Sequence, residues 1–348
     1  MVDFHQNGNI ATLHNLRTRS GSDLKAQLSS FAQTRKMSLS LYSKLETEAV
    51  PKILAELSHV RYLHRIVVVL DRADAEQFCH ARQFIKGLNQ HHIVIWNDRA
   101  RMKALGTRLE KMGLGPVEAG KGKNAWTAMG YLISCEDSAV MAMHDCDILT
   151  HTNQMLSRLI YPVANPTSPY QVAKGHYARV GGGKLNGRVT RLLVSPLLIS
   201  LKKVVGGRDY IDYLRSFLYP LSGEFAMRRA ILPDLRIPSD WGLEIGVLSE
   251  AWRNLAPKAV CQVEIADGYD HKHQEMSPED ATSGLARMSR DIREAIFRKL
   301  AAYGTVFSHN TFRTLKATYY RNVLDLLEAY YTDAQMNGLT VDRHNEEA

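Results

Sequence analysis

The sequence predicts an α/β protein with a mostly parallel sheet flanked by helices, followed by a helical C-terminal extension. From Met37 to Asp145, short β-rich runs alternate with helical stretches. The runs RIVVVLD (65–71) and AVMAMHD (139–145) are almost continuously apolar, as is typical of parallel strands buried on both faces. Two later blocks, 281–302 and 311–331, have the helical period and predict the extension.

The remaining elements are assigned in order along the chain. The predicted strands are 37–42, 65–71, 92–97, 139–145, YQVAKGHYARV and 259–267; the predicted helices are 50–57, one after Asp74, 99–112 and 125–134. VTRLLVSPLLISLKKVV reads as an amphipathic segment interrupted by Pro196. We divide the chain into an N-terminal arm with one short helix (1–36), a nucleotide-binding α/β half (37–150), a second half of mixed character (151–280) and C-terminal helices with a polar tail (281–348).

Composition narrows the functional class. The 348 residues are 45% hydrophobic and 23% charged, as in an ordinary globular protein. The absence of an export signal or a long apolar stretch predicts a cytoplasmic protein without membrane contact. The four cysteines show no CxxC spacing, which favours reduced thiols. The net charge is +8, but no run of like charges supports nucleic-acid binding.

Asp145 and Asp147 follow an apolar strand, where parallel sheets place their ligands. Carboxylates at positions i and i+2 point to the same side, so they can hold a hard cation that keeps open positions for diphosphate oxygens. A D-x-D triplet also arises by chance in a chain of this length. Its place at a strand end makes Asp145-Cys146-Asp147 a candidate metal and nucleotide site.

Two further segments are candidates to contribute to this site, one through a lysine that could bind phosphate and one through histidines that could bind the metal. Gly120-Lys121-Gly122-Lys123 is predicted to be a loop ahead of a helix, suited to a phosphate, although it is equally typical of a solvated turn and lacks the Walker A spacing. In Asp270-His271-Lys272-His273 the two histidines face one side of an extended segment and are either metal ligands or surface histidines.

Three glycine-containing segments are candidates for binding a second substrate or the sugar. Gly181 to Gly183, followed by Lys184, Arg188 and Thr190, is either an anion-binding loop or a mobile surface turn. Glu224 and Glu244 each lie among small and apolar residues. A buried carboxylate is costly when isolated, so each requires a sugar hydroxyl or a basic partner.

Taken in order, these elements resemble the glucosyl-3-phosphoglycerate synthases and their mannosyl-3-phosphoglycerate relatives. These are retaining glycosyltransferases with a GT-A fold, whose core is a Rossmann-like sheet. The resemblance covers about residues 37–300. Its most specific stretches are GRVTRLLVSPLL (187–198), PLSGEFAMRRAIL (220–232) and WGLEIGVLSE (241–250), and HDCDIL matches the family's DADL.

The resemblance implies glucose transfer from a nucleotide sugar, with UDP-glucose as the expected donor, to 3-phosphoglycerate, with Mg²⁺ or Mn²⁺ as cofactor and a homodimeric assembly. Asp147, His271 and Asp145 would hold the metal, and Asp147, Lys121 and Glu244 would serve catalysis. The nucleotide sugar would contact Leu45, Glu46, Glu48, Asp71, Lys121 and Asp145. The acceptor would contact Lys174, Gly183, Arg188, Thr190 and His273. The half 37–150 would thus bind the nucleotide sugar, and the half 151–280 would bind the acceptor.

Three departures from the family pattern leave alternatives open. SKLETE replaces an Asn-Glu-Glu pattern, so either Glu46 or Glu48 takes the nucleotide role. Lys184 to Gly187 form an apparent insertion beside the acceptor, and Tyr269 stands where the family has arginine. A mannosyl or GDP-sugar donor or a glycerate acceptor remains an alternative within the family. A metal-dependent phosphohydrolase and a basic nucleic-acid-binding protein are alternatives from other classes.

Overall fold

An eight-stranded sheet forms the centre of the computed structural model, which describes residue 6 and residues 8–43, 49–114, 119–270, 284–342 and 346. The strands are β1 (Ala11–Leu13), β2 (Met37–Ser43), β3 (Leu63–Leu70), β4 (His91–Trp96), β5 (Val140–Asp145), β6 (Val172–Tyr177), β7 (Val180–Gly181), β8 (Lys184–Leu185), β9 (Phe225–Arg228) and β10 (Val260–Ala266). The sheet order is β1-β10-β6-β9-β5-β2-β3-β4, and β7 pairs with β8 in a separate hairpin. Within the described sheet, β9 alone is antiparallel to its neighbours.

Helices cover both faces of the sheet. They are α1 (Gly21–Ala32), α2 (Ala49–Ser58), α3 (Ala75–Ile85), α4 (Ala100–Lys111), α5 (Lys121–Ser134), α6 (Asn153–Ala164), α7 (Ser195–Val205), α8 (Asp209–Arg215), α9 (Leu243–Asn254), α10 (Gly284–Ala302) and α11 (His309–Met336). A π-helical segment, Val189–Val194, leads directly into α7. None of the described helices combines the length and the apolar character needed to cross a membrane.

Central strands such as β3 contribute alternate residues to two separate cores. In β3, Ile66 and Val68 belong to the core beneath α1, α2, α3 and α6. Their neighbours Val67 and Val69 belong to the opposite core, beneath α5 and α7 to α11. Because successive strand side chains point to opposite faces, a continuously apolar strand fills both layers. This layering confirms the predicted mostly parallel α/β fold.

Several elements differ from the sequence prediction. The helix predicted over 125–134 begins at Lys121, so residues 121–123 of the expected loop lie in the first turn of α5. Gly120 precedes the helix and has a φ of 148°. The expected loop after Val180 is the β7–β8 hairpin, which turns at Gly182 and Gly183 with φ of 57° and 71°. Pro196 does not end its helical segment, because the π-helical turn Val189–Val194 runs directly into α7. The Leu192 carbonyl, four residues before Pro196, accepts from the Tyr319 hydroxyl at 2.6 Å in place of the N–H that proline lacks.

The N-terminal region contributes to the sheet. Ala11–Leu13 pair in parallel with Cys261, Gln262 and Val263 of β10. The predicted short helix is α1, capped by Ser20, whose hydroxyl accepts from the Asp23 N–H at 3.1 Å. Three residues are too few to show the period-2 pattern by which strands are found in a sequence, so β1 gave no signal.

Candidate active site

Carboxylates gather at the carboxyl edge of the sheet. Asp71 directly follows β3 and Asp145 ends β5, and both strands run parallel to β2. Asp71 is 6% exposed, and its Oδ1 has no hydrogen-bond partner among the described residues. Burial raises the pKa of Asp71, although the nearby Arg72 opposes the shift. A buried oxygen without a partner at this edge is suited to accept a hydrogen bond from a ligand.

Asp147 has the electrostatic character of a cation ligand. Burial raises its pKa to about 7, and the negative charge of Asp145 adds to the shift. Two carboxylates that disfavour each other's ionisation are stabilised when a divalent cation lies between them. Their oxygens are the hard ligands that Mg²⁺ and Mn²⁺ prefer, so the donor set fits the implied metal.

Lys121 joins two acidic side chains at this edge. Its Nζ lies 2.8 Å from Asp145 Oδ1 and 2.9 Å from Glu244 Oε1. Burial opposes its charge, but Asp145, Glu244 and Glu224 outweigh that effect and raise the pKa of Lys121 well above its ordinary value. A lysine held charged in the first turn of α5 adds to the positive end of the helix dipole. The arrangement is suited to stabilise negative charge on a diphosphate.

Close backbone packing holds Lys121 in this position. A Cβ at Gly122 would lie 2.6 Å from Ser239 Cα, so the start of α5 packs directly against the loop that leads to α9. A Cβ at Gly223 would lie 2.5 Å from Lys121 Nζ and would also clash with Asp145. Gly122 therefore leaves no room for a side chain, because its neighbour is backbone, whereas a side chain at Gly223 would displace the ends of the Lys121 and Asp145 side chains.

The segment that leads to the predicted metal histidine runs beside the acidic pair. The Leu149 N–H donates to the Asp270 carbonyl at 2.9 Å, and the Asp270 N–H donates to Thr150 Oγ1 at 3.1 Å. Leu149 lies two residues after Asp147. His271 and His273 lie outside the described residues, and so do Leu45, Glu46 and Glu48. Among the described residues no group of three His, Cys, Asp or Glu side chains is placed to hold a metal.

The predicted acceptor loop is an ordered hairpin. The Gly183 carbonyl accepts from the Thr340 N–H at 2.9 Å, and Gly181 packs so tightly against the side chain of Asp270 that a Cβ could not be accommodated. The hairpin therefore lies between the C-terminal segment and the chain that leads to His271. This places the candidate acceptor-binding and metal-binding segments next to each other.

Arg188 and Thr190 lie at the start of the π-helical segment. Arg188 is about one-third exposed, whereas Thr190 is buried and its Oγ1 has no partner among the described residues. Arg191 is also buried and donates to both Glu346 carboxylate oxygens, at 3.0 and 2.5 Å. Glu346 Oε1 lies 4.0 Å from Arg188 Nε. The side-chain carboxylate of Glu346 thus packs next to the predicted anion-binding arginine, Arg188.

Lys174 is buried near the charged residues around Lys121. It is 1% exposed within β6, donates to the Ser222 carbonyl and lies over the ring of Phe225. Burial lowers its pKa to about 8, while the charge of Glu244 opposes the shift. The structure thus brings Lys174 towards the carboxylates around Lys121.

The sequence predicted that Glu244 and Glu224 each need a partner, and in the structure the two carboxylates have partners of different kinds. Glu244 forms an ion pair with Lys121. Glu224 accepts from three hydroxyl groups, those of Tyr177, Tyr269 and Ser222, at 2.6, 2.8 and 3.0 Å. Gly223 and Glu346 were not predicted. The small-residue run in LSGE was the only signal for Gly223, and a polar tail gives no signal for a buried ion pair.

Solved structures support the fold. Glucosyl-3-phosphoglycerate synthase from Mycobacterium tuberculosis, crystallised with Mn²⁺, UDP-glucose and phosphoglyceric acid, superposes with a TM-score of 0.60 and 22% sequence identity, covering 83% of this chain and 87% of that one. The same enzyme with Mg²⁺ and UDP gives a TM-score of 0.57 at 22% identity, covering 83% and 86%. No family model matches the sequence.

The fold is that of the GT-A glycosyltransferases. The glucosyl-3-phosphoglycerate synthase of Persephonella marina is 43% identical over 99% of this chain and 86% of its own length, and that of Methanococcoides burtonii is 36% identical over 88% and 76%. The chain belongs to the glucosyl-3-phosphoglycerate synthase family, which confirms the family predicted from the sequence.

Proposed function

We propose that this protein transfers glucose from UDP-glucose to 3-phosphoglycerate, with Mg²⁺ or Mn²⁺ as cofactor. The ion pairs of Lys121 with Asp145 and Glu244 carry the proposal, because they keep a positive charge where a departing diphosphate needs it. The relatives' printed name and the M. tuberculosis complexes with UDP-glucose, phosphoglyceric acid and a divalent metal support the same substrates.

Asp147, Asp145 and His271 would hold the metal, which when bound supplies positive charge to the diphosphate oxygens. Asp71 and Asp145 would bind the nucleotide sugar together with Leu45, Glu46 and Glu48. Support comes from the buried Oδ1 of Asp71 at the same edge as Asp145 and from the position of α2, which begins directly after residues 44–48.

Gly183, Arg188 and Thr190 would bind the phosphate and carboxylate of the acceptor, with His273 and Lys174 at its edges. The partly exposed guanidinium of Arg188 and the buried Thr190 hydroxyl without a partner supply suitable donors. Glu244 would accept from a hydroxyl of the donor sugar or acceptor while it holds Lys121.

For a reaction with retention, the acceptor hydroxyl attacks the sugar face that the diphosphate leaves. Lys121 stabilises the negative charge that develops on the departing diphosphate. The diphosphate oxygen that leaves the sugar can take the proton of the acceptor hydroxyl. No protein side chain is needed as the general base. The main contribution of the protein is therefore electrostatic stabilisation by charges that are already in place.

The test is the Asp147→Ala variant. We expect it to fold but to form no glucosyl-3-phosphoglycerate, as measured by product formation from UDP-glucose and 3-phosphoglycerate with Mg²⁺. In a thermal-shift assay, UDP-glucose with Mg²⁺ should raise the melting temperature of the unmodified protein and not of the variant. Full activity in the variant would disprove the metal site, and phosphate release without a sugar donor would indicate a phosphohydrolase.

We also propose that the protein is a homodimer and is cytoplasmic, where nucleotide sugars and phosphorylated acids are available as substrates. Tyr320 and Leu324 lie four residues apart on α11 and are 64% and 38% exposed. A second copy is the occupant that would bury these apolar side chains. Light scattering coupled to size exclusion should give twice the chain mass, and Tyr320→Glu should give the monomer mass.

A further inference from the structure

Glu224 lies at the junction of three segments of the active site. Its side chain is fully buried at the amino end of β9. Because β9 is antiparallel to β5 and β6, its amino end lies at the edge where those strands end. The proposed function leaves this carboxylate without a role, although it lies beside Asp145, whose backbone N–H donates to Glu224 Oε1 at 3.5 Å.

The two carboxylate oxygens of Glu224 are divided between two tyrosines. Tyr177, at the end of β6, donates to Oε2 at 2.6 Å, and Tyr269, beyond β10, donates to Oε1 at 2.8 Å. The tyrosine rings are stacked, with centroids 3.8 Å apart and an interplanar angle of 5°. Burial raises the pKa of both phenols well above the ordinary value, so both remain protonated donors.

Backbone hydrogen bonds hold Tyr269 and the next residue, Asp270, against neighbouring segments of the site. The Tyr269 N–H donates to the Ala178 carbonyl at 2.9 Å, between β6 and the acceptor hairpin. The next residue, Asp270, accepts from the Leu149 N–H, as described above. Tyr269 is thus held two residues before His271 in sequence and next to the loop that follows Asp147.

We propose that Glu224 is a positioning residue that, through the Tyr269 hydroxyl, fixes the segment leading to His271 relative to Asp145 and Asp147. The inference rests on the proposed function, in which these three residues hold the metal. A single carboxylate that accepts from the Asp145 N–H at the end of β5 and from the Tyr269 hydroxyl beyond β10 sets the spacing between the two segments that carry the proposed ligands. Partners that orient metal ligands typically affect metal affinity about 10–100-fold.

An alternative role for Glu224 is purely electrostatic, because a negative charge near Lys121 also influences a bound cation. The two roles are separable. Tyr269→Phe removes the positioning hydrogen bond but leaves the charge of Glu224 and the ring stack in place. Glu224→Gln removes the charge and one hydrogen-bond acceptor with almost no change in shape.

The experiment is calorimetric titration of Mn²⁺ into each variant saturated with UDP. We expect Tyr269→Phe and Glu224→Gln each to weaken Mn²⁺ binding by about tenfold or more. The double variant should bind about as weakly as the weaker single variant, because both changes break one interaction. Metal-free UDP binding should stay within about twofold of the unmodified protein. Wild-type Mn²⁺ affinity in Tyr269→Phe would overturn the proposal.

A matched control is Tyr210→Phe, which removes a buried tyrosine hydroxyl bonded to Ser249 at 2.6 Å outside this site. It should leave Mn²⁺ affinity unchanged. The Asp147→Asn variant tests the proposed metal site separately from the positioning role of Glu224. Wild-type Mn²⁺ affinity in Asp147→Asn would overturn the proposed metal site and the positioning role with it. Loss of binding in Asp147→Asn together with normal binding in Tyr269→Phe would overturn the positioning role alone.

Discussion

Lys121 Nζ lies 2.9 Å from Glu244 Oε1, which links the first turn of α5 to the first turn of α9. The pair joins a residue of the predicted nucleotide half to one of the predicted acceptor half. An acidic side chain in the first turn of α9 is also favoured by the helix dipole. The charge of Lys121 is thereby fixed before any substrate binds, so no reorganisation is required as the leaving group departs.

Lys121→Met should lower kcat by about 10²–10³-fold, because it removes a positive charge aimed at the leaving diphosphate. Steady-state kinetics with UDP-glucose and 3-phosphoglycerate would measure the loss. The matched control is Lys103→Met, since Lys103 lies 3.9 Å from Asp98 in a largely exposed pair and should affect kcat little. A kcat within threefold of the unmodified value in Lys121→Met would contradict the proposed role.

Gly223→Ala should abolish most of the activity while the fold is retained. The added methyl group would lie 2.5 Å from Lys121 Nζ and must displace either that group or Asp145. Circular dichroism and product formation would measure fold and activity. Gly130→Ala, in α5 with open space around it, is the control and should stabilise the protein by up to about 1 kcal/mol. Equal activity in both variants would show that the site tolerates the displacement.

Glu346→Gln should raise the KM for 3-phosphoglycerate by about 3–10-fold and leave the KM for UDP-glucose unchanged. The buried Glu346–Arg191 pair supports the segment that carries Arg188 and Thr190, and loss of one charge of a buried pair weakens that support. The control is Asp325→Asn, which breaks an exposed pair with Arg321 on α11. A change in the donor KM alone would be inconsistent with the assignment of this segment to the acceptor.

Glu250→Gln should lower the free energy of unfolding at pH 7 by about 2 kcal/mol, because it breaks a largely buried ion pair. Glu250 is 1% exposed and accepts from Lys299 at 2.6 Å and from Arg253 at 2.8 Å. Burial alone would raise its pKa, but these bonds and the Arg236 N–H outweigh burial and hold the pKa below its ordinary value.

The sign of the pH dependence follows from that lowered pKa. The stabilisation by Glu250 is fully present above the pKa of an unfolded glutamate, about 4.3, and is lost as the pH falls through the folded value. The difference between the two proteins in urea unfolding should therefore shrink below about pH 4. Glu294→Gln, which breaks an exposed pair with Arg298, should cost about 0.5 kcal/mol or less at pH 7. A pH-independent difference for Glu250→Gln would refute the ionic contribution.

The strands that could be predicted are those with long apolar runs. Residues 65–71 and 139–145 were predicted within two residues of β3 and β5, because burial on both faces leaves few polar positions in such strands. The four-residue β9 was missed, since it is short and lies within a run that resembles a loop. The antiparallel direction of β9 depends on its partners and has no sequence pattern of its own.

Part of the site could be predicted for the same reason. Asp71 and Asp145 follow apolar strands, so their place at the carboxyl edge follows from the strand assignment. The basic partner of Glu244 was expected, but its identity was not. Lys121 was assigned to a loop because Gly120 and Gly122 resemble a flexible turn. In the structure Gly122 is helical and serves close packing against Ser239.

The sequence by itself determined the α/β alternation, the edge at which the D-x-D carboxylates lie and the family of glycosyltransferases. These depend on local periodicity and on motifs that stay contiguous in the chain. The tertiary structure alone decided that Glu224 bonds to Tyr269 and that Glu346 reaches Arg191 across 155 positions. Such contacts form because burial requires partners for polar groups, and which partner is near is set by packing of distant segments.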